Sequence, residues 1–270
     1  KQGVKNLEIL NKSELMDKEP NLNKQAKYAL FAPTAGIISP FELAIAYADN
    51  AALNGVKILL ETEVEDIITS DNQIKYVKTN NNQIYPDLVV NAAGVYADYI
   101  ANLAGGSDNI NITPRKGEYY LFDKKYRDII NHVIFPMPTP KSKGVLVTPT
   151  IHGNLMIGPN SNWVNDKDDT STTSEGLSEV VAHATKLVPD LPDDGVINSF
   201  AGLRAVDSSE DFIISFSRNV EGLINVAGIQ SPGLSSTPAI ADKTIKLIKN
   251  YCETKKCQLN FNYKQNFQKK

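Results

Sequence analysis

Arg204 is the side chain whose type and setting most directly suggest chemistry. It lies in SFAGLRAVDSSEDFII at 199–214, where an apolar, β-prone run gives way to a polar loop. A guanidinium there offers a planar fork of donors suited to a carboxylate or a phosphate, while a surface ion pair with Asp207 or Asp211 is the plainer use. A second candidate is made of backbone. Residues 227–236, AGIQSPGLSS, follow the apolar run 223–227 and precede a helical pattern that points Ile240, Ile245 and Ile248 toward a core. Ser235 or Ser236 can cap that helix, and Pro238 suits its first turn. Gly228 and Gly233 leave the backbone bare, so a flat ligand can approach N–H groups at a helix start that favours negative charge. An ordinary strand-to-helix connection would carry the same glycines.

Other reactive side chains read as structural. His183 sits among apolar residues at helical spacing, His152 sits in a hairpin turn, and His132 has no acid or cysteine at a spacing that would make a metal site. Asp168, Asp169, Asp193 and Asp194 read as solvated loop acids. Cys252 and Cys257 are too few for a disulfide framework and miss CxxC spacing, so they read as thiols of a reducing compartment.

These residues need a framework of strands and helices. The pattern gives a strand over 28–33, a helix over 40–54 whose wide apolar face implies burial, and a strand over 56–60. A meander follows at 64–70, 74–79 and 84, then an apolar strand over 88–92 ending near Gly94 and a helix over 95–104. From 112 to 214 the chain turns β-rich, with strands expected at 117–122, 132–136, 144–149, 154–158, 196–203 and 211–216 and one helix over 173–187. The fold class is α/β (α+β). With a net charge of -3 and a pI near 5.7, the 270 residues argue against a nucleic-acid partner. No apolar run is long enough for a transmembrane segment and no secretory signal is visible, so a cytoplasmic location is expected.

The loop AGIQSPGLSS resembles the flavin-contacting loop of the D-amino-acid-oxidase-like FAD-dependent oxidoreductases. GLRAVDSSEDFI resembles that family's GxRP segment, with Ala205 in place of the usual proline. PRKGEYYLFD at 114–123 resembles its P-R-x-G strand entry, and the strand ending in NAAG resembles the one beside the FAD adenosine. The resemblance implies Arg204 as the catalytic-site residue that holds the substrate anion. It implies FAD contacts from Val64, Ala93, Gly94, Gly202, Gly228, Ile229, Gln230, Ser231, Gly233, Leu234 and Ser235, with no metal. Arg115 or Lys116 would line the cofactor or substrate passage, and of Tyr119 and Tyr120, on opposite faces of one strand, at most one can look into it.

The implied architecture is part of a two-dinucleotide-fold FAD lobe (41–105 and 220–252), a substrate lobe with a mixed, mostly antiparallel sheet (1–40 and 106–219) and a solvated tail (253–270). The implied reaction is hydride transfer from a CH–OH substrate to flavin, with a small anionic substrate, glycerol 3-phosphate first. L-2-hydroxyglutarate oxidation, glycine-oxidase-like amino-acid oxidation and a cofactor-free binding domain are the alternatives. An electron-acceptor protein or quinone would complete the cycle, at a cytoplasmic site that can be peripheral to a membrane. The family's G-x-G-x-x-G diphosphate cradle does not occur in these residues. The chain is therefore expected to be a fragment that alone holds FAD weakly or not at all.

Overall fold

The computed structural model describes residues 3–105, 108–138 and 144–255. In chain order the elements are β1 (Glu8–Asn11), α1 (Lys12–Lys18), β2 (Tyr28–Phe31), α2 (Pro40–Leu53), β3 (Val64–Ser70), β4 (Gln73–Thr79), β5 (Gln83–Ile84), β6 (Val89–Asn91) and α3 (Ala97–Leu103). They continue with β7 (Ile112–Phe122), β8 (Leu146–Pro149), β9 (Leu155–Gly158), β10 (Asn162–Trp163), α4 (Ser174–Leu187), β11 (Val196–Asp207), β12 (Ile213–Phe216), β13 (Leu223–Ala227) and α5 (Gly233–Lys255). Two compact units share them: one from within Lys1–Ser39, Lys116–Asn162 and Asp169–Gly202, the other from within Pro40–Arg115, Trp163–Asp168 and Leu203–Lys270. The division falls inside β7 and β11, whereas the expected lobe boundaries lay in loops at 105/106 and 219/220.

In the first unit, β1 pairs antiparallel with β2, and β9 pairs antiparallel with both β8 and β7. Leu10, Leu15, Leu22, Phe122, Val147, Leu155, Ile157 and Val180 make its core. Alternation along β7 sends Phe122 and Tyr120 to that core, and Tyr119 to the other face, where its ring stacks on Phe200 at 4.9 Å. The core side of β7, with Tyr120 and Phe122, also carries Glu118, 1% exposed, toward α4. Its carboxylate accepts from the Thr173 amide (2.6 Å), the Thr173 hydroxyl (3.0 Å) and Asn160 Nδ2 (2.8 Å), so it neutralises the amino end of a helix that Thr173 caps. Gly176 makes room for it, since a Cβ there would lie 1.7 Å from Glu118 Oε2.

In the second unit the sheet order is β12-β13-β6, with β12 antiparallel to β13 and β13 parallel to β6. The β3-β4-β5 meander forms as expected. One core joins Ala97, Ala101, Ile112, Ala205 and Ala227; another joins Ile67, Val77, Ala104, Val220 and Leu223.

Several expectations need correction. Helix α2 forms but buries none of its residues, with Phe41 80% exposed, and 56–60 forms no strand. The apolar pattern is present, but among the described residues nothing covers it. Helix α5 starts at Gly233, two residues before the expected Ser235 cap, so Pro238 lies inside the helix and Ser235 Oγ donates to the Pro232 carbonyl. Its buried positions are Gly233, Thr244 and Cys252, while Ile245 is exposed. The strand expected at 132–136 reduces to an isolated bridge between Ile134 and Val147.

Three of the acids read as solvated are engaged: Asp168 with the Tyr96 hydroxyl, Asp169 with buried Lys116 (2.7 Å), and Asp194 with Lys125 (3.0 Å) and the Tyr126 hydroxyl. Cys257 and the tail from 256 lie outside the described residues. No helix among the described residues is long and apolar enough to cross a membrane.

Hydrogen bonds from Lys116 and from the Ser171 hydroxyl and amide hold the Asp169 carboxyl at about 2, below the usual carboxylate value. A depressed acid adds stability above its unfolded pKa and loses it as pH falls through the folded one. Asp169→Asn should therefore lower the urea midpoint at pH 5 and have little effect near pH 2; an equal loss at both would contradict the pairing. Gly176→Ala should cost about 2 kcal/mol or more by displacing the Glu118 carboxylate, read as a lower Tm. An unchanged Tm would contradict the seating of Glu118.

Candidate active site

Two apolar strands end in the same short signature, Asn91-Ala92-Ala93-Gly94 and Asn225-Val226-Ala227-Gly228. In the structure β6 and β13 lie parallel with Asn91 opposite Asn225. Both side chains are buried. Asn91 Nδ2 donates to Asn225 Oδ1 (2.9 Å) and to the Ala97 carbonyl (2.8 Å), and Asn225 Nδ2 donates to Asp108 Oδ2 (2.9 Å). This pair fixes the register, so residues 93–94 and 228–235 leave the sheet at the same end. That end, outside the carboxyl termini of parallel strands, is where open α/β sheets receive ligands. The sequence reading missed the pair, although the repeated Asn-x-Ala-Gly was visible.

The second loop is tight. Gly228 takes φ +65°, and a Cβ on it would lie 2.7 Å from the Asp211 carbonyl; a Cβ on Gly233 would lie 2.6 Å from Ile229 Cγ2. These glycines are needed for packing within the loop. Gly94, at φ +59°, and Gly202 are different, because a Cβ at either would meet nothing within 4 Å. Helix α5 opens with four amides that lack intrahelical acceptors. Gly233 N donates to the Gln230 carbonyl (2.6 Å) and Ser236 N to the Pro232 carbonyl (3.1 Å). Among the described residues the amides of exposed Leu234 and Ser235 have no such acceptor, and no acid stands in the first turn to offset the positive helix end. Gln230 Nε2 reaches the Glu210 carbonyl at 3.5 Å, and Ser231 is exposed. Val64 packs on the core that contains Ile67 and Val77, and Ala93 N donates to Asn91 Oδ1 at 3.3 Å.

Arg204 lies inside β11, not at its edge, with Nη1 donating to the Arg115 carbonyl at 3.4 Å. Ala205, where the resemblance leads one to expect proline, is buried against Ala97, Ala101 and Ala227, so strand pairing and core packing hold the segment. Asp207, 3% exposed, serves its own turn: it accepts from the Asn111 amide (2.9 Å) and from the Ser209 amide (2.7 Å) and hydroxyl (2.6 Å). Burial opposes its ionisation, but the Ser209 and Asn111 donors outweigh that and hold the carboxyl below its usual range. A Cβ on Gly228 would come within 3.1 Å of Asp207 Cβ, so the strand bearing Arg204 runs directly to the 228 loop.

The strand-entry segment now divides. Lys116 is buried with Asp169, while Arg115 faces away from it, its guanidinium 5.3 Å from the centroid of the Trp163 ring. Trp163 is held by its neighbours: the Val164 amide donates to the Pro114 carbonyl (3.2 Å), Lys167 pairs with Asp98, and a hydrogen bond to Asp168 raises the Tyr96 pKa. Thr113, Trp163, Val206, Asp207, Ser208 and Glu210 line a shallow cavity of about 230 Å³. In the first unit, His132 Nδ1 lies 2.6 Å from buried Glu19 and its ring packs edge-on against Phe31, a structural role as expected. No cluster with metal-binding geometry occurs among the described residues.

Comparison with known proteins matches this arrangement to a family. Residues 1–247 fit the model described as FAD dependent oxidoreductase. The chain is 46% identical over 260 residues to the glycerol 3-phosphate dehydrogenase of Caloramator mitchellensis, covering 96% of this chain and 54% of that protein. It is 33% identical over 267 residues to the glycerol 3-phosphate oxidase of Mycoplasma genitalium, covering 96% and 68%. The FAD-bound L-alpha-glycerophosphate oxidase of Mycoplasma pneumoniae superimposes with a TM-score of 0.84 at 29% identity, over 98% of this chain and 68% of that one. The chain thus spans about half the length of the first relative and about two thirds of the others. The parallel pair with its two glycine exits, the bare start of α5 and the adjacent arginine strand accordingly belong to a member of the FAD dependent oxidoreductase family.

Proposed function

We propose that this chain carries the anion-binding wall and part of the flavin site of an FAD-dependent glycerol 3-phosphate dehydrogenase. One observation carries the reading: the amides of Leu234 and Ser235, at a helix start without a compensating acid, share a unit with Arg204, whose strand runs to the same loop. The residues present fit a flavin. Gly94 leaves open space at the carboxyl end of β6, and the α5 amides are fixed donors for an electron-rich ring edge. FAD, when bound, supplies the hydride acceptor for oxidation of a CH–OH group. The chain's own contributions are to hold that ring at residues 93–94 and 228–235 and to orient the substrate anion on Arg204.

The 46% identity to a protein named glycerol 3-phosphate dehydrogenase supports glycerol 3-phosphate as substrate. With it we propose a protein or quinone as electron acceptor and a cytoplasmic setting. Because G-x-G-x-x-G is absent from these residues, tight FAD binding is proposed to need a diphosphate cradle supplied by further sequence.

The test is anaerobic titration of the protein together with such a cradle. Glycerol 3-phosphate should bleach the yellow flavin, and Arg204→Met should lower kcat/KM by about 2 to 4 kcal/mol in transition-state terms. A flavin that stays yellow, or unchanged kinetics in the variant, would contradict the assignment.

A further inference from the structure

Helix α2 and the run that follows it are exposed against the sense of their sequence. From Pro40 to Val56 the charged residues are Glu42 and Asp49, and most of the others are apolar or small. A helix that is apolar on every side belongs in an interior. Yet α2 buries none of its residues: Phe41 is 80% exposed and Ile45 60%, and Leu60, in the β-prone run 56–60, is 80% exposed. So much apolar surface in one stretch marks an interface.

Topology indicates what the interface lacks. A helix that leads through Asn54-Gly55 into the run VKILL has the order of the second half of a strand–helix–strand crossover, whose second strand needs a parallel partner and whose helix packs on the shared sheet. Residues 56–60 belong to no sheet among the described residues. The same unit holds an unfinished parallel sheet, because β6 pairs with β13 and ends the order β12-β13-β6. The Val89 amide donates to the Gly222 carbonyl (2.8 Å), so by alternation the Val90 amide points to the open edge. That edge strand is apolar, without the charge or proline that usually guards an edge.

Two observations select the occupant. The stretch 40–56 has acids and neither Lys nor Arg, which disfavours a lipid surface. The chain covers 54% of its first relative, and the G-x-G-x-x-G turn is absent from these residues.

We propose that α2, residues 56–60 and the open edge of β6 are the docking face for the segment that carries the diphosphate cradle. One strand of that segment extends the sheet at β6, and another pairs in parallel with 56–60, which becomes a strand on docking. Parallel addition at β6 brings the glycine-rich turn to the sheet end where residues 93–94 and 228–235 leave. The identity of the segment rests on the flavin reading of that end.

The test compares the 270-residue chain with the protein that also contains the cradle-bearing segment. Amide exchange at Ile58, Leu60 and Val90 should be fast in the chain alone and slower by about a hundredfold or more in the longer form. Ile45→Lys and Leu60→Lys should leave the Tm of the chain alone within about 2 °C, yet lower that of the longer form by several degrees and reduce the FAD it retains. Leu60→Met, which keeps the apolar contact, should match the wild type in both.

Loss of stability in both forms would make these side chains part of the chain's own packing and overturn the proposal, as would no effect in either. A face protected in the chain alone through self-association, seen by sedimentation, would assign it to a second copy and overturn it too. Bleaching by glycerol 3-phosphate without protection at 56–60 removes the docking face and leaves the proposed function standing. Protection without bleaching keeps the docking face and removes the substrate assignment.

Discussion

Parallel pairing of β6 with β13, locked by the buried Asn91–Asn225 hydrogen bond, is the constraint on which the second unit depends. Two polar side chains in a dry sheet must satisfy each other, and one register alone lets them do so. A slip by one residue would put the two carboxamides on opposite faces of the sheet and break the hydrogen bond between them. With the register fixed, the glycines that end both strands leave at one edge, and the start of α5 follows directly.

The second organising feature is the two-sided character of β7. Its buried side carries ions that are fully engaged, Lys116 with Asp169 and Glu118 with the start of α4. Its other side carries Thr113, Arg115 and Tyr119, and among the described residues the buried Nε of Arg115 has no hydrogen-bond partner.

Much of this was legible in the residues. The meander, the helix at 174–187 with its Thr173 cap and the loop at 228–235 follow from alternation, capping chemistry and glycine placement. What was not legible depended on partners. The pattern of α2 and 56–60 asks for burial, but a pattern cannot say whether the covering element is present, and here those side chains are exposed. Local rules placed the α5 cap at a serine; the Gly233-to-Gln230 hydrogen bond and close Ile229 packing started the helix earlier. Asp169 looked like a solvated acid because its partner, Lys116, is 53 residues away in sequence. The contact of Trp163 with Arg115 was not legible because nothing local ties the two.

The central claim is that the opening of α5 receives the flavin ring. Amide hydrogen exchange of the flavin-loaded protein against its apoprotein tests it most directly. The account predicts slowed exchange at Leu234 and Ser235 on flavin binding, with the β3-β4 meander unchanged. Equal exchange at those two amides in both forms would contradict it.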